Sequence, residues 1–162
     1  MKTLLLMRHA KASNDGAADI DRTLLDEGRE AAQRIGKALK ADNLTIDLAL
    51  SSPAVRARET ITALLKTTES SLDVQYDERL YEGGPLRLLE VLSEVDESLN
   101  TVLLVGHNPV LEEFIQLITN ETVHLSAGTL AHIGVEADNW SEIGEAKCYL
   151  RKTVRPQELI GS

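Results

Sequence analysis

Three short runs of this sequence are apolar at almost every position, and they restrict the fold more than any other feature. The runs are "TLLLM" at 3–7, "DLALS" at 47–51 and "TVLLVG" at 101–106. Continuous rather than alternating apolarity is typical of parallel strands that are covered on both faces. Helical patterns separate these runs, so strand and helix alternate along the chain. We therefore predict a three-layer α/β/α sandwich, with a mostly parallel central sheet and helices on both faces.

The helical pattern is a stripe of apolar residues spaced three or four positions apart, with charged residues opposite. In the first such segment the stripe comprises Ala31, Ala32, Ile35, Ala38 and Leu39. Helices are predicted within residues 26–42, 53–66, 85–95 and 109–118. Two later stretches, 131–137 and 146–154, are predicted as strands. The longest polar segment, 13–23, is predicted as a surface loop near a ligand site.

Length and composition limit the class of protein further. A chain of 162 residues is expected to form one domain spanning 1–162. The net charge of −9 opposes general attraction to nucleic acid or an anionic membrane, so any anion must be bound by a local cluster. The one cysteine, Cys148, cannot form an internal disulfide. Since no membrane span or signal peptide is recognised, we expect a cytoplasmic protein without nucleic-acid or membrane partners.

Basic side chains follow each of the three apolar runs. Arg8 and His9 end the first run, Arg56 follows the second after a short turn, and His107 follows the third. Carboxyl ends of parallel strands meet at one edge of a sheet, where open α/β sheets bind their ligands. Each residue alone has an ordinary explanation as a surface charge or a turn residue. Their matching positions instead favour one anion pocket inside an acidic protein.

The two later runs share one layout, in which a strand is followed by a polar turn, a proline and an amphipathic helix. We predict Ser52 and Asn108 as helix N-caps, with Pro53 and Pro109 at the first helical position. Each junction would then present a helix N-terminus, whose free N–H groups and dipole favour an anion.

Four segments together resemble the histidine phosphatase superfamily, which has a phosphoglycerate mutase-like fold. They are "RHAKAS", "DRTLLDEGREAA", "SSPAVRARET" and "VGHNPVLE", and the resemblance runs from Met7 to about Ala131. Within that superfamily, the short chain and Ala10, where many members have glycine, resemble the phosphohistidine phosphatase branch.

The resemblance implies roles for five residues. His9 would be the nucleophile that forms a phosphohistidine. Arg8 and Arg56 would hold the phosphoryl oxygens, and His107 would complete the pocket. Glu82, in a Leu-x-Glu segment, would be the general acid, although an exposed charge before the following proline is the alternative. The resemblance implies no metal and no cofactor.

A working nucleophile needs an imidazole with a free ring nitrogen. We expect the neighbouring arginines to lower the pKa of His9, and a backbone carbonyl to hold its other ring nitrogen. The predicted function is that of a phosphatase with a covalent phosphohistidine intermediate. Its expected substrate is a phosphohistidine protein such as a phosphorelay domain. Alternatives are a phosphatase for small phosphorylated metabolites, a mutase-like phosphotransferase and a noncatalytic phosphoprotein-binding module.

Overall fold

The computed structural model describes residues 1–15 and 18–159. Within these residues, six strands form one sheet, and the order across it is β3-β2-β4-β1-β5-β6. The first four strands run parallel, whereas the last two pair antiparallel at one side. The strands are β1 Lys2–Arg8, β2 Leu48–Ser51, β3 Val74–Tyr76, β4 Thr101–Gly106, β5 Leu130–Glu136 and β6 Lys147–Val154.

Helices cover both faces of this sheet, because successive side chains of a strand point to opposite sides. In β1, Leu5 and Met7 join a buried cluster with the first two helices, while Leu4 and Leu6 join another with the last two. The predicted three-layer arrangement is therefore confirmed. The helices are α1 Asp26–Ala41, α2 Val55–Thr68, α3 Arg79–Glu82, α4 Pro85–Ser93 and α5 Val110–Thr119.

All five predicted strands are present, but the sequence pattern missed β3 and the single-turn helix α3. β3 lies at the sheet edge and is half-buried to exposed, so it lacks the continuous apolarity of the other parallel strands. α3 has one buried residue, Leu80, and is too short to show a helical period. In the described parts of the chain, no helix is long and apolar enough to cross a bilayer.

The predicted start of α2 is wrong. The helix begins at Val55, so Ser52 is not its N-cap and Pro53 is not its first residue. The hydroxyl of Ser52 accepts a hydrogen bond from the N–H of Ala54 instead, at 3.1 Å. Ser52 therefore shapes the turn between β2 and α2 rather than the helix end.

The predicted start of α5 is also wrong. The helix begins at Val110, with Pro109 before it and no side-chain cap. The amide of Asn108 donates to Glu112 Oε2 and to the carbonyl of Leu125, at 2.8 and 3.0 Å. Asn108 therefore ties the helix to the segment preceding β5 instead of capping it.

The parallel register brings the carboxyl ends of β1, β2 and β4 together, as predicted. Arg8 pairs with Gly106 across the sheet, and Ser51 pairs with Val105. Residues that directly follow these strands consequently share one edge of the sheet.

Candidate functional site

His9 lies directly after β1, where its backbone N–H donates to the carbonyl of Gly106 at 3.1 Å. Its ring Nδ1 is 2.8 Å from the carbonyl of Ala10, which can only accept, so Nδ1 carries the proton. Its Nε2 is therefore unprotonated and receives a hydrogen bond from Nε of Arg56 at 3.3 Å. The predicted backbone carbonyl partner is thus confirmed, and the free nitrogen faces a guanidinium.

Burial, followed by the nearby charges of Arg56, Arg8 and Arg22, lowers the pKa of His9 to about 4, against the opposing hydrogen bond to Ala10. The predicted direction is correct, but burial rather than the arginines is the largest cause. At neutral pH the ring is uncharged, and its unprotonated Nε2 accepts from Arg56.

Arg56 connects most of the cluster, and its side chain is only 7% exposed. Besides Nε to His9, its Nη2 lies 3.4 Å from Nδ1 of His107. Its Nη1 donates to the backbone carbonyl of Asp19 at 2.6 Å, and Nη2 donates to Oδ2 of the same residue at 3.1 Å. One edge of the guanidinium therefore faces two imidazoles, and the other faces a carboxylate.

A hydroxyl fixes α2 relative to the nucleophile. The hydroxyl of Thr60 donates to the carbonyl of Arg56 at 2.7 Å and accepts from the N–H of Ala10 at 3.1 Å. Because Thr60 is fully buried, this link joins the first turn of α2 to the residue after His9 in a dry environment.

The ring of His107 lies 5.2 Å from that of His9, measured between centroids. Its Nδ1 faces Arg56, so Nε2 carries the proton and donates to the hydroxyl of Ser52 at 2.8 Å. Burial lowers the pKa of His107 to about 3, and the neighbouring His9 and Arg56 act in the same direction. Ser52, predicted only as a cap, is therefore the residue that fixes this second neutral imidazole.

Arg8 is oriented by the backbone of the segment before β5. Its Nη1 donates to the carbonyl of Leu125 at 3.0 Å. That carbonyl also accepts from Asn108, and the N–H of Leu125 donates to Oε2 of Glu112 at 2.8 Å. Nε of Arg8 is buried and has no hydrogen-bond partner among the described residues. A fixed guanidinium with a free buried donor is suited to bind an anion.

Asp19 and Tyr81 form the outer side of the cluster, and the sequence analysis identified neither of them. The carboxylate of Asp19 accepts from Tyr81 Oη at 2.7 Å and from Arg22 Nη1 at 3.2 Å, in addition to Arg56. The hydrogen bond from Tyr81 is the first cause that lowers the pKa of Asp19 to about 2. The ring of Tyr81 packs edge-on against His107, with centroids 5.5 Å apart.

Asp19 belongs to a short 3₁₀ turn, Asp19–Asp21, within the polar segment that was predicted as a loop near the site. Residues 16 and 17 of that segment lie outside the described residues. The described part does reach the cluster, so the polar loop was the one signal in the sequence that pointed to Asp19.

Glu82 is not brought into the cluster. It is exposed at the end of α3 and makes no hydrogen bond to the basic residues of the site in the described structure. It lines a separate hollow with Glu78, Arg79 and Arg87. Tyr81, its neighbour in the chain, faces the site instead. The role of Glu82 as an acid stays a prediction from resemblance.

The assembled groups suit a tetrahedral anion. The half-buried imidazole of His9 offers a lone pair, and a guanidinium donor of Arg56 faces it. Within residues 1–15 and 18–159, no group of three or more His, Cys, Asp or Glu side chains could hold a metal ion. The chemistry available to these residues is nucleophilic attack by nitrogen on phosphorus, with the charge stabilised by arginine.

Comparison with known sequences defines the class of protein. The sequence model of the histidine phosphatase superfamily (branch 1) matches residues 4–85, which is half of the chain. The chain therefore belongs to the histidine phosphatase superfamily. An uncharacterized protein of Mycobacterium tuberculosis is 39% identical over 104 residues, covering 64% of this chain. The match spans 63% of that relative, less than two thirds of its length.

The chain is also similar to solved structures of individual phosphatases. A structure assigned as the phosphohistidine phosphatase SixA from Nakamurella multipartitia is 30% identical, with a TM-score of 0.86 and 96% of each chain covered. A mycobacterial glucosyl-3-phosphoglycerate phosphatase is 16% identical, with a TM-score of 0.70, 93% of this chain covered and 97% of the other. At that identity the second likeness concerns the fold alone.

Proposed function

We propose that this protein is a phosphatase that works through a covalent intermediate on His9 and that its substrate is a phosphohistidine protein, such as a phosphorelay domain. One observation carries the proposal: His9 has its proton on Nδ1, held by the carbonyl of Ala10, and its Nε2 lone pair beside Arg56. A nucleophile in this tautomer needs no further activation at neutral pH.

In the proposed first step, the lone pair of His9 Nε2 attacks phosphorus. The bond from phosphorus to the leaving group breaks, and its electron pair goes to the leaving atom. Arg8 and Arg56 stabilise the charge on the phosphoryl oxygens through their planar donors, and His107 keeps Arg56 in place beside them through its Nδ1.

In the proposed second step, water attacks phosphorus on the phosphorylated ring. The P–N bond breaks, its electron pair returns to Nε2, and the water proton leaves with inorganic phosphate or solvent. The Nδ1 proton stays on the ring throughout, so His9 departs as a neutral imidazole. The reaction uses only protein side chains and water.

Three observations favour a phosphohistidine protein over a small phosphate ester. The likeness to a structure assigned as a phosphohistidine phosphatase extends over 96% of the chain. His9 and His107 are half-buried rather than enclosed, which leaves room for a histidine side chain presented by another protein. Glu82 lies outside the cluster, and an imidazole leaves more readily than an alkoxide without a general acid.

The test is a comparison of phosphate release from a phosphohistidine protein, free phosphohistidine, a sugar phosphate and p-nitrophenyl phosphate under one condition. We expect kcat/KM for the phosphohistidine protein to exceed the others by at least about tenfold, roughly 1.4 kcal/mol in transition-state binding. The variant His9→Ala should abolish release, whereas His124→Ala, which removes an imidazole that is 81% exposed, should not.

The other outcomes each contradict the proposal in a distinct way. Faster turnover of the sugar phosphate would assign the protein to small-metabolite phosphatases. Transfer of the phosphoryl group to an acceptor instead of water would indicate a mutase-like phosphotransferase. Tight binding of the phosphorylated protein without turnover of any substrate would indicate a noncatalytic binding module.

A further inference from the structure

The nucleophile and the carboxylate of Asp19 contact different nitrogens of one guanidinium. Nε of Arg56 faces His9 Nε2, whereas Nη1 and Nη2 bind the carbonyl and carboxylate of Asp19. The side chain of Asp19 is 55% exposed, while that of Arg56 is 7% exposed. Asp19 is therefore on the solvent side of the site, where a bound substrate must enter and its leaving group must depart.

Among residues 1–15 and 18–159, the hydrogen bonds of this carboxylate leave one acceptor position free. A carboxylate offers about four lone-pair positions. Oδ2 accepts from Arg56 and Tyr81, and Oδ1 accepts from Arg22. The remaining position is on Oδ1 of an exposed side chain, so an incoming N–H donor can reach it.

The surroundings keep this carboxylate charged. Hydrogen bonds from Tyr81, then Arg56 and Arg22, hold the pKa of Asp19 at about 2, against the opposing effect of burial. Among the described residues, the groups that face it are these three and, behind Tyr81, the neutral ring of His107. An ionised carboxylate cannot serve as a proton donor at neutral pH, but it is a strong hydrogen-bond acceptor.

We propose that Asp19 accepts a hydrogen bond from the distal ring N–H of the substrate phosphohistidine and thereby makes the site selective for P–N over P–O bonds. This inference rests on the proposed function. A phosphorylated imidazole is a good leaving group only while its second nitrogen carries a proton. A carboxylate that accepts this N–H stabilises the protonated form and orients the ring.

The transfer then exchanges one imidazole for another without moving a proton. His9 Nε2 forms a bond to phosphorus with its lone pair, and the P–N bond of the substrate breaks. The electron pair of that bond stays on the substrate nitrogen, which leaves as part of a neutral imidazole with its distal N–H intact. Each ring keeps one proton throughout, held by the carbonyl of Ala10 on His9 and by Asp19 on the substrate.

Asp19 does not stabilise the leaving group of a phosphate ester. That leaving group is an oxygen with no N–H, and a fixed negative charge beside it opposes the charge that develops on that oxygen. Asp19 is therefore a specificity-determining residue, in addition to its contact with Arg56. A purely structural role, through Arg56 alone, would affect both classes of substrate equally.

The test compares the full-length protein with the variants Asp19→Asn and Asp21→Asn, using a phosphohistidine protein and p-nitrophenyl phosphate as substrates. Asp21 is an exposed residue of the same 3₁₀ turn, so its variant is a matched control. For Asp19→Asn we expect the ratio of the two kcat/KM values to fall at least about tenfold, with the larger loss above pH 7, where the substrate ring tends to lose its proton. The Asp21→Asn ratio should match that of the unaltered protein.

Equal losses on both substrates, or no change in the ratio, would overturn the role of Asp19 while leaving the proposed function intact. If the unaltered protein does not turn over the phosphohistidine protein at all, the proposed function fails and this inference fails with it.

Discussion

The two sides of the site are built in different ways. The site floor, formed by Arg8, His9 and His107, follows two adjacent parallel strands and is held largely by backbone carbonyls and one buried hydroxyl. The site rim, formed by Asp19 and Tyr81 together with Arg22, belongs to a loop and a single-turn helix and is held by side-chain contacts. Arg56 connects the two. The floor is therefore suited to chemistry that all substrates share, and the rim is suited to discrimination between them.

The largest loss of kcat/KM is expected from substitution of Arg56, which contacts both the site floor and the site rim. Lysine at position 56 would keep the charge but lose the planar fork that reaches His9, His107 and Asp19 at once. We expect Arg56→Lys to lower kcat/KM by about 10²-fold for every substrate, as removal of a transition-state donor does elsewhere. Steady-state kinetics with a phosphohistidine protein and p-nitrophenyl phosphate measures this. Unchanged kcat/KM on either substrate would contradict this role of Arg56.

A smaller loss of kcat/KM is expected when Glu112, which supports the site floor, is substituted. Glu112 fixes Asn108 and the peptide of Leu125, whose carbonyl orients Arg8. Glu112→Ala should lower kcat/KM by about tenfold, mainly through KM, because a displaced guanidinium weakens phosphoryl binding by about 1 kcal/mol or slightly more.

Glu113→Ala is the matched control, since Glu113 is exposed on the same turn of α5. Glu112→Gln should restore most of the affinity, because one amide oxygen can replace the accepting atom. Inhibition by inorganic phosphate provides the second readout. An unchanged inhibition constant in Glu112→Ala would contradict the positioning role.

A change confined to the rim should have a still smaller effect on catalysis. Tyr81→Phe removes the hydrogen bond that is the first cause of the low pKa of Asp19. We expect the pKa of Asp19 to rise toward 3.8 and kcat/KM for a phosphohistidine protein to fall about threefold. Carboxyl ¹³C NMR measures the pKa of Asp19. Tyr76→Phe on β3 is the control, and a pKa of Asp19 that does not move would disprove the contact.

The imidazoles of His9 and His107 in the site floor should not titrate across the physiological pH range. Burial lowers the pKa of His9 to about 4 and that of His107 to about 3. The ring resonances of both residues should therefore stay those of neutral imidazole from pH 8 to about pH 5, when followed by NMR without ligand. A midpoint near 6.5 for either ring would contradict the buried, neutral floor.

The same shifts predict how stability depends on pH. An unfolded histidine takes up a proton near pH 6.5, whereas both rings resist it in the fold. Below that pH the unfolded chain therefore binds more protons, so stability is highest above about pH 6.5 and falls as the pH approaches 4. Thermal unfolding of the protein and of a His107→Gln variant measures this, and the variant should lose less stability between pH 7 and pH 5.

The sequence predicted the floor because chain position alone determines it. Arg8 is the last residue of an apolar strand, and His9 and His107 directly follow such strands. Parallel strands bring their carboxyl ends to one edge. Arg56 was predicted for a similar reason, one turn after the second strand. The two predicted caps were wrong because hydrogen bonds of the Ser52 and Asn108 side chains are determined by tertiary neighbours, which no local pattern encodes.

The rim could not be predicted because it depends on where a loop and a short helix pack. Asp19 is one of several acidic residues in a polar stretch, and nothing in its spacing distinguishes it. Tyr81 and Glu82 are adjacent on α3, so one faces the site while the other faces solvent. A helix of four residues has too few positions to reveal which face is buried. Resemblance to the family selected Glu82 in this segment, and its role as the acid stays a prediction.

The most direct measurement is to identify the atom that carries the phosphoryl group during turnover. The protein is mixed with a phosphohistidine protein or p-nitrophenyl phosphate, quenched under alkaline denaturing conditions within the first turnover and mapped by mass spectrometry. We predict an acid-labile phosphoryl group on His9 that disappears as inorganic phosphate is released. Continued turnover by His9→Ala, or a phosphoryl group on another residue with His9 unmodified, would contradict the account.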